Sequence, residues 1–281
     1  MLKNLLCPFL SLLFFILAGC SSLSRQDSSR EIHIHFLNIG EGSATLVESN
    51  DLGNILIDTG NPTSQIVSKL QNMGIQRIDK LILTHPHPDH IGGAHSVIEF
   101  LTPTSIFDNG ELLTFDTPEL RWYKEAVRES PNYNILKRGD IFRGHSSRLT
   151  VLSPQALISD WNSNSLIMRL TAYGHTVLFM ADGNHATEKF LVQSAENLKA
   201  DILQVGHHGA LDSSSLEFLR TASPRFAVIS VNKGNVNGYP HNKTLKKLRD
   251  IGSTYFVTHE SGRVSFTLSP DDITVSTEKD A

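Results

Sequence analysis

Apolar and polar side chains alternate from residue 32 onwards, with Ile32, Ile34 and Phe36 on one face of an extended chain and His33 and His35 on the other. Similar strand-like runs follow at 44–47, 54–57 and 80–83. Between them Ile66, Leu70 and Met73 recur at helical spacing and stop at Gly74, which predicts a short amphipathic helix. Ile91, Ala94, Val97, Ile98 and Leu101 repeat that spacing, and Leu120, Tyr123 and Val127 suggest a third helix within the poorly patterned stretch 102–140. A second series comes next, with strands near 149–152, 165–170 and 176–180 and a helix over 186–197. Strands at 202–205 and 226–231, a helix near 243–251 and strands at 254–257 and 264–267 complete it. Two successive halves of strands with interspersed helices predict a layered α/β domain, while leaving open how the sheets pack.

The first thirty residues stand outside this pattern. Lys3, an apolar run over 5–16 and Leu17-Ala18-Gly19-Cys20 give the charged, hydrophobic and small-residue regions of a secretory signal. The run is too short to span a bilayer. A cysteine directly after Leu-Ala-Gly resembles a bacterial lipoprotein box, which implies cleavage after residue 19 and lipidation of Cys20; an uncleaved membrane anchor is the alternative. Either reading places the remainder outside the cytoplasm. Residues 20–30 then form a Ser-rich tether, 31–270 the folded domain and 271–281 a polar C-terminal tail. Cys7 and Cys20 are the only cysteines, so the mature domain has no internal disulfide and depends on its core. The formal net charge of −4 gives no electrostatic reason to expect tight binding to a polyanion.

The chemistry concentrates in Thr84-His85-Pro86-His87-Pro88-Asp89-His90, directly after the apolar run Lys80-Leu81-Ile82-Leu83. His85 and His87 point the same way from an extended backbone, while Asp89 and His90 follow where the chain turns helical and can face a second ion. Four ligand-type side chains at this spacing mark a metal site.

The ordered series Phe36-Leu37-Asn38-Ile39-Gly40-Glu41-Gly42-Ser43-Ala44, Ile55-Leu56-Ile57-Asp58-Thr59-Gly60, the His cluster with Ile91-Gly92-Gly93, Met180-Ala181-Asp182-Gly183 and Val205-Gly206-His207-His208-Gly209 resembles the metallo-β-lactamase superfamily. Within it, the hydrolase domain of ComEC-type DNA-uptake competence proteins is the nearest likeness. The resemblance covers about residues 32–268 and implies a four-layer αββα sandwich with a water-activating metal site at the edge between its halves. It assigns His85 and His87 to a first divalent ion and Asp89 and His90 to a second, with Asp182 bridging both. One of His207 and His208 completes the second ion; His208 is preferred, leaving His207 to hydrogen-bond the substrate. Asp58 is implied as the carboxylate that orients a ligating histidine.

Three departures bear on substrate, one from the wider superfamily and two from the competence-type pattern. Asn162-Ser163-Asn164-Ser165-Leu166 stands where many superfamily hydrolases place a further histidine on the first ion; it matches the subgroup's Asn-x-x-Ser-Leu and leaves that ion fewer protein ligands. The subgroup's Asp-Val-Gly-Gln-Gly-Asp becomes Asn38-Ile39-Gly40-Glu41-Gly42-Ser43. Its Tyr-Gly-His-Pro-His becomes Asn237-Gly238-Tyr239-Pro240-His241, so Tyr239 takes a histidine's place beside His241. His145 is either the missing ligand or a solvated loop residue. Lys243, Lys246, Lys247 and Arg249 are either a polyanion-binding stripe or the wet face of an amphipathic helix.

Imidazole-rich ligation favours zinc, and the lost first-site histidine shifts the expectation towards manganese. The leading expectation is a lipid-anchored, metal-dependent phosphodiesterase or nuclease that uses Asp89, Asp182 and His207 in catalysis and acts on a phosphodiester, nucleic acid included. A hydrolase of esters, thioesters or lactams is the second, and a non-catalytic metal-binding surface module the third.

Overall fold

The computed structural model describes residues 31–111, 118–194 and 196–279. The signal, Cys20 and the tether lie outside them.

The alternation at the start of the domain builds β1 (Ile32–Phe36), whose odd-numbered histidines stay half-buried while Ile32, Ile34 and Phe36 enter the core. β2 (Thr45–Ser49) and β3 (Ile55–Ile57) continue it as an antiparallel meander. Then the connections change. α1 (Ile66–Asn72) leads to β4 (Lys80–Ile82), α2 (Pro88–Ile91) and α3 (Ala94–Leu101) lead to β5 (Ser105–Asp108), and α4 (Pro118–Tyr123) with a π-wound turn (Lys124–Arg128) leads to β6 (Tyr133–Ile135). Strands β3 to β6 run parallel, as helical crossovers require.

The second half repeats the plan. β7 (Ile141–Arg143), β8 (Ser147–Ser153), β9 (Ile167–Ala172) and β10 (His175–Phe179) are antiparallel neighbours. α5 (His185–Gln193), β11 (Ile202–Gln204), α6 (Leu216–Ala222), β12 (Phe226–Ile229), α7 (Asn242–Asp250) and β13 (Thr254–Val257) extend the sheet in parallel from β10. After the short α8 (Thr258–Ser261), β14 (Val264–Leu268) and β15 (Ile273–Thr277) return to the first sheet beside β1. The sheets are therefore ordered β15-β14-β1-β2-β3-β4-β5-β6 and β13-β12-β11-β10-β9-β8-β7.

Three apolar layers separate four structural ones. Ile34, Phe36, Met168, Phe179 and Phe266 pack between the sheets, with Phe36 and Phe266 edge to face at 6.0 Å. The outer face of the first sheet packs on α1, α3 and α4 through Leu70, Val97 and Tyr123. The outer face of the second packs on α5, α6 and α7 through Leu191, Leu219 and Leu248. This is the αββα sandwich.

Several sequence expectations are corrected. Within the expected tail 271–281, Ile273–Thr277 form a strand: Ile273 and Val275 join the inter-sheet core, and β15 pairs along the whole of β14. The stretch 102–140 hides β5 and β6 as well as the helix, and α6 went unpredicted. His145 is exposed in the β7–β8 hairpin, where it lines a cavity with Asp51 and Tyr173, remote in the chain's architecture from the His cluster. On α7, Lys243, Lys246 and Arg249 are exposed, as a wet face requires, whereas Lys247 is half-buried and donates to the Ser213 carbonyl.

Candidate metal centre

The ligand-type side chains all hang from the C-terminal ends of parallel strands, the edge where open α/β sheets bind ligands. Asp58 follows β3, the His cluster follows β4, Asp182 follows β10 and the His207-His208 pair follows β11. Gly93 lets the junction of α2 and α3 lie against the turn after β3, since a Cβ there would stand 2.6 Å from the Thr59 carbonyl oxygen. Thr59 N–H and its hydroxyl in turn donate to the His90 carbonyl at 2.7 and 2.9 Å. The two turns that carry Asp58 and His90 are thereby locked together.

Two groups of three ligand atoms result: His85, His87 and Asp182 in one, Asp89, His90 and His208 in the other. His85 Nε2 lies 2.8 Å from His87 Nδ1 and 3.6 Å from Asp182 Oδ2. His90 Nε2 and His208 Nε2 lie 3.1 and 3.4 Å from the other Asp182 oxygen, Oδ1, and His208 Nε2 is 3.2 Å from Asp89 Oδ2. The two oxygens of Asp182 thus face different groups, as a bridging carboxylate must.

The supports of these rings define their chemistry. His208 Nδ1 is 2.7 Å from the Ser230 carbonyl, which only accepts, so Nδ1 carries the proton and Nε2 is left to face the carboxylates. His90 Nδ1 meets Asp58 Oδ2 at 2.7 Å, and Asp58 also accepts from the Thr84 N–H and hydroxyl at 2.8 and 2.9 Å. His207 and His208 both adopt left-handed backbone conformations, φ 47° and 52°, which splay their rings apart. His207 Nδ1 meets Asp212 Oδ1 at 2.9 Å, while its Nε2 stands 3.4 Å from the Asn162 amide nitrogen and 3.8 Å from Asp182 Oδ2.

Burial works against charge on every member; it prevails at His85 and His87, and neighbouring charges outweigh it at His90, His208 and Asp182. His85 is pushed well below the ordinary histidine range by burial and by the charge on His90. His87 is lowered by burial, with Asp182 opposing. For His90, burial is outweighed by Asp182, Asp58 and Asp89, which hold it well above that range, and His208 is raised in the same way by Asp182 and Asp89. Asp182 sits well below the usual carboxylate range because His90 and His208 outweigh its desolvation. The centre is a sink for positive charge.

A pair of divalent cations fits it. His90 Nε2, His208 Nε2 and Asp182 Oδ1 are buried without a hydrogen-bond partner despite their short separations, so they converge without being aligned on one another. Neutral imidazoles and carboxylates are the donor set for zinc or manganese. The fully buried Asp58 orients His90 from behind.

The remaining expected residues divide. Asn162 reaches the centre, and its Oδ1 is buried and unpaired; Ser165 is buried with an unpaired hydroxyl. His87, Asp89, Asp182, His207 and His208 open into a cleft of about 380 Å³ whose other walls include Glu41, Asn61, Pro88, Asn237 and Tyr239. Tyr239 stacks on His208 at 6.4 Å and stands edge-on to His207 at 5.5 Å. His241 is not brought into the lining: its ring lies 5.4 Å from that of Tyr239 and its N–H donates to the Gly209 carbonyl at the start of α7. A groove of similar size between α1 and α3 is lined by no titratable side chain. Thr84, Asp212, Glu41 and Asn61 were not anticipated as site residues.

Residues 37–231, which carry every one of these ligand-type side chains, match the family model described as the metallo-beta-lactamase superfamily. The chain belongs to that superfamily. It is a hydrolase of the metallo-β-lactamase fold with candidate ligands for divalent metal. Its relatives include ComE operon protein 3 of Bacillus subtilis, 28% identical over 85% of this chain and 33% of that protein. Recombination protein 2 of Haemophilus influenzae is 29% identical over 98% of this chain and 34% of that protein. Competence protein ComA of Neisseria gonorrhoeae is 29% identical over 82% of this chain and 31% of that protein. The chain thus spans about a third of the length of these relatives. Among solved structures, the metallo-beta-lactamase fold protein YhfI from Bacillus subtilis superposes with a TM-score of 0.55 at 16% identity, covering 88% of this chain and all of that one. A diphosphatase from the PhnP family superposes at 0.52 and 13% identity over 85% and 99% of the two chains. Those two likenesses bear on the fold. Among the described residues no helix is long and apolar enough to cross a membrane.

Proposed function

We propose that this chain is an extracytoplasmic, metal-dependent phosphodiesterase. The observation that carries the reading is the divided Asp182 carboxylate, with one oxygen facing His85 and the other facing His90 and His208. Divalent cations held by these two groups would lower the pKa of water and neutralise charge developing on phosphoryl oxygens. The protein's own contribution is placement. Asp58 and the Ser230 carbonyl fix the His90 and His208 rings. Asp212 turns His207 so that Nε2 faces the cleft, and against the opposing burial Asp212 and Asp182 raise the ring above the ordinary histidine range, so that in its protonated form Nε2 can donate beside the Asn162 amide to an anionic oxygen. His85, His87 and a single Asp182 oxygen form the sparser group, which an anionic substrate oxygen completes better than a neutral lactam or thioester does. The relatives named for competence and recombination favour a phosphodiester on the same side.

The test is metal-stripped protein supplied with manganese or zinc and offered bis(p-nitrophenyl) phosphate, a thioester and a β-lactam. We expect phosphodiester turnover that depends on added metal, negligible β-lactam turnover, and loss of both turnover and most bound metal in Asp182→Ala. Efficient lactam or thioester hydrolysis without phosphodiester cleavage would overturn the reading. The cellular location rests on the Leu17-Ala18-Gly19-Cys20 sequence. Detergent-phase partitioning should be lost in Cys20→Ser, because one thioether-linked lipid group is what the polar tether lacks; retention in the detergent phase would refute the anchor.

A further inference from the structure

Among the described residues lining the cleft are three carboxylates, Glu41, Asp89 and Asp182, and no lysine or arginine. Asp89 and Asp182 belong to the ligand groups, and a pair of divalent cations offsets them. Glu41 has no such counterpart. Its placement is built: Gly40 and Gly42 take φ of 80° and 97°, and a Cβ on Gly42 would stand 1.8 Å from the Asp89 carbonyl oxygen. Ser43 N–H donates to that same carbonyl at 3.2 Å. The glycines therefore press this loop onto the first turn of α2 and present an exposed carboxylate at the mouth.

Lys246 pairs with Asp250 at 2.6 Å, and Lys247 donates to the Ser213 carbonyl. A groove that tracks a nucleic-acid backbone is built the opposite way, with Lys and Arg at successive phosphates and an affinity that falls steeply with salt. We infer that the cleft selects a phosphodiester bearing one negative charge with uncharged flanks, and that Glu41 enforces this selectivity by repelling neighbouring phosphates.

This deepens the phosphodiesterase reading and rests on it. The test compares bis(p-nitrophenyl) phosphate with a short fluorescein-labelled single strand and its duplex, using the full chain loaded with manganese. Turnover and fluorescence anisotropy are read from about 20 to 200 mM salt, a range over which screening between exposed charges sets in. The single-charge ester should be the better substrate, and oligonucleotide binding should be weak at low salt and no weaker as salt rises. At low salt Glu41→Gln should raise the ratio of oligonucleotide to single-charge turnover about threefold and Glu41→Lys about tenfold, the size expected of one and two unit charges acting through water. Tight oligonucleotide binding that salt abolishes, or a ratio unmoved in both variants, overturns the inference and leaves the phosphodiesterase reading standing. No turnover of any phosphodiester by metal-loaded protein overturns both.

Discussion

Asp58 sits behind His90 with no exposed surface and three donors on its two oxygens, so its contribution reaches the cleft only through another ring. Asp58→Asn keeps the shape but turns an amide towards His90, either losing the charge-assisted bond or forcing the other tautomer. Metal affinity of the Asp89–His90–His208 group should fall by about ten- to a hundredfold, the usual effect of removing such a support. Competition with a chelating dye measures it, and unchanged affinity would detach Asp58 from the centre. The positions of the ligand-type residues were legible because residue type and spacing both report them: a carboxylate and three imidazoles in six positions have few other reasons to exist. Asp212 and Thr84 were not. Their roles are set by hydrogen-bond direction, and Asp212 meets His207 only because two successive left-handed residues swing that ring outward. Nothing in local composition encodes that swing. His241 stands behind Tyr239 at the start of α7, against a cleft residue rather than in the cleft lining.

At the scale of elements, strands with clean alternation or unbroken apolar runs were readable, as were helices with an unbroken i, i+4 pattern. β15 escaped because its outward positions are Thr274 and Ser276 and its inward ones only Ile273 and Val275, a short signal that pairing with β14 makes decisive. α6 escaped because seven residues give barely two turns of periodicity. Its start nevertheless governs the centre. Glu188, buried on α5, accepts from the Ser214 and Ser215 N–H groups, and Ser213 Oγ donates to the Gly206 and Ala210 carbonyls. Left-handed conformations at non-glycine residues cost about 1–3 kcal/mol each, and this clamp from the neighbouring helix holds the turn that bears His207, His208 and Asp212. The turn was legible as a motif but not as a strained element, since part of the compensation comes from Glu188 on the preceding helix, bonded to residues 26 and 27 positions further on.

The whole molecule depends on two sheets, from two halves of the chain, keeping their register across the core, because the centre draws ligands from both. Asp51 ties them together at a point distant in sequence from every ligand. It lies in the turn between β2 and β3 of the first sheet and accepts from Ser147 Oγ at 2.6 Å and Ser146 N–H at 2.8 Å in the β7–β8 hairpin of the second, as well as from Ser49 Oγ at 2.7 Å. Partial burial works against its charge, yet the bonds from Ser147, Ser146 and Ser49 outweigh it and hold the carboxyl well below its usual range. A depressed folded pKa stabilises the fold above the unfolded value near 4 and loses that contribution as pH falls towards the folded one. Asp51→Asn should therefore cost about 1 kcal/mol at neutral pH, hydrogen bonds to a charged acceptor being discounted for the exposure of this one. In urea titrations the gap between wild type and Asp51→Asn should stay level from about pH 7 to 5 and narrow below about pH 4, as the carboxylate takes up a proton in the unfolded chain while the folded one stays ionised. A gap independent of pH throughout would assign the loss to packing and remove Asp51 as the electrostatic tie between the sheets.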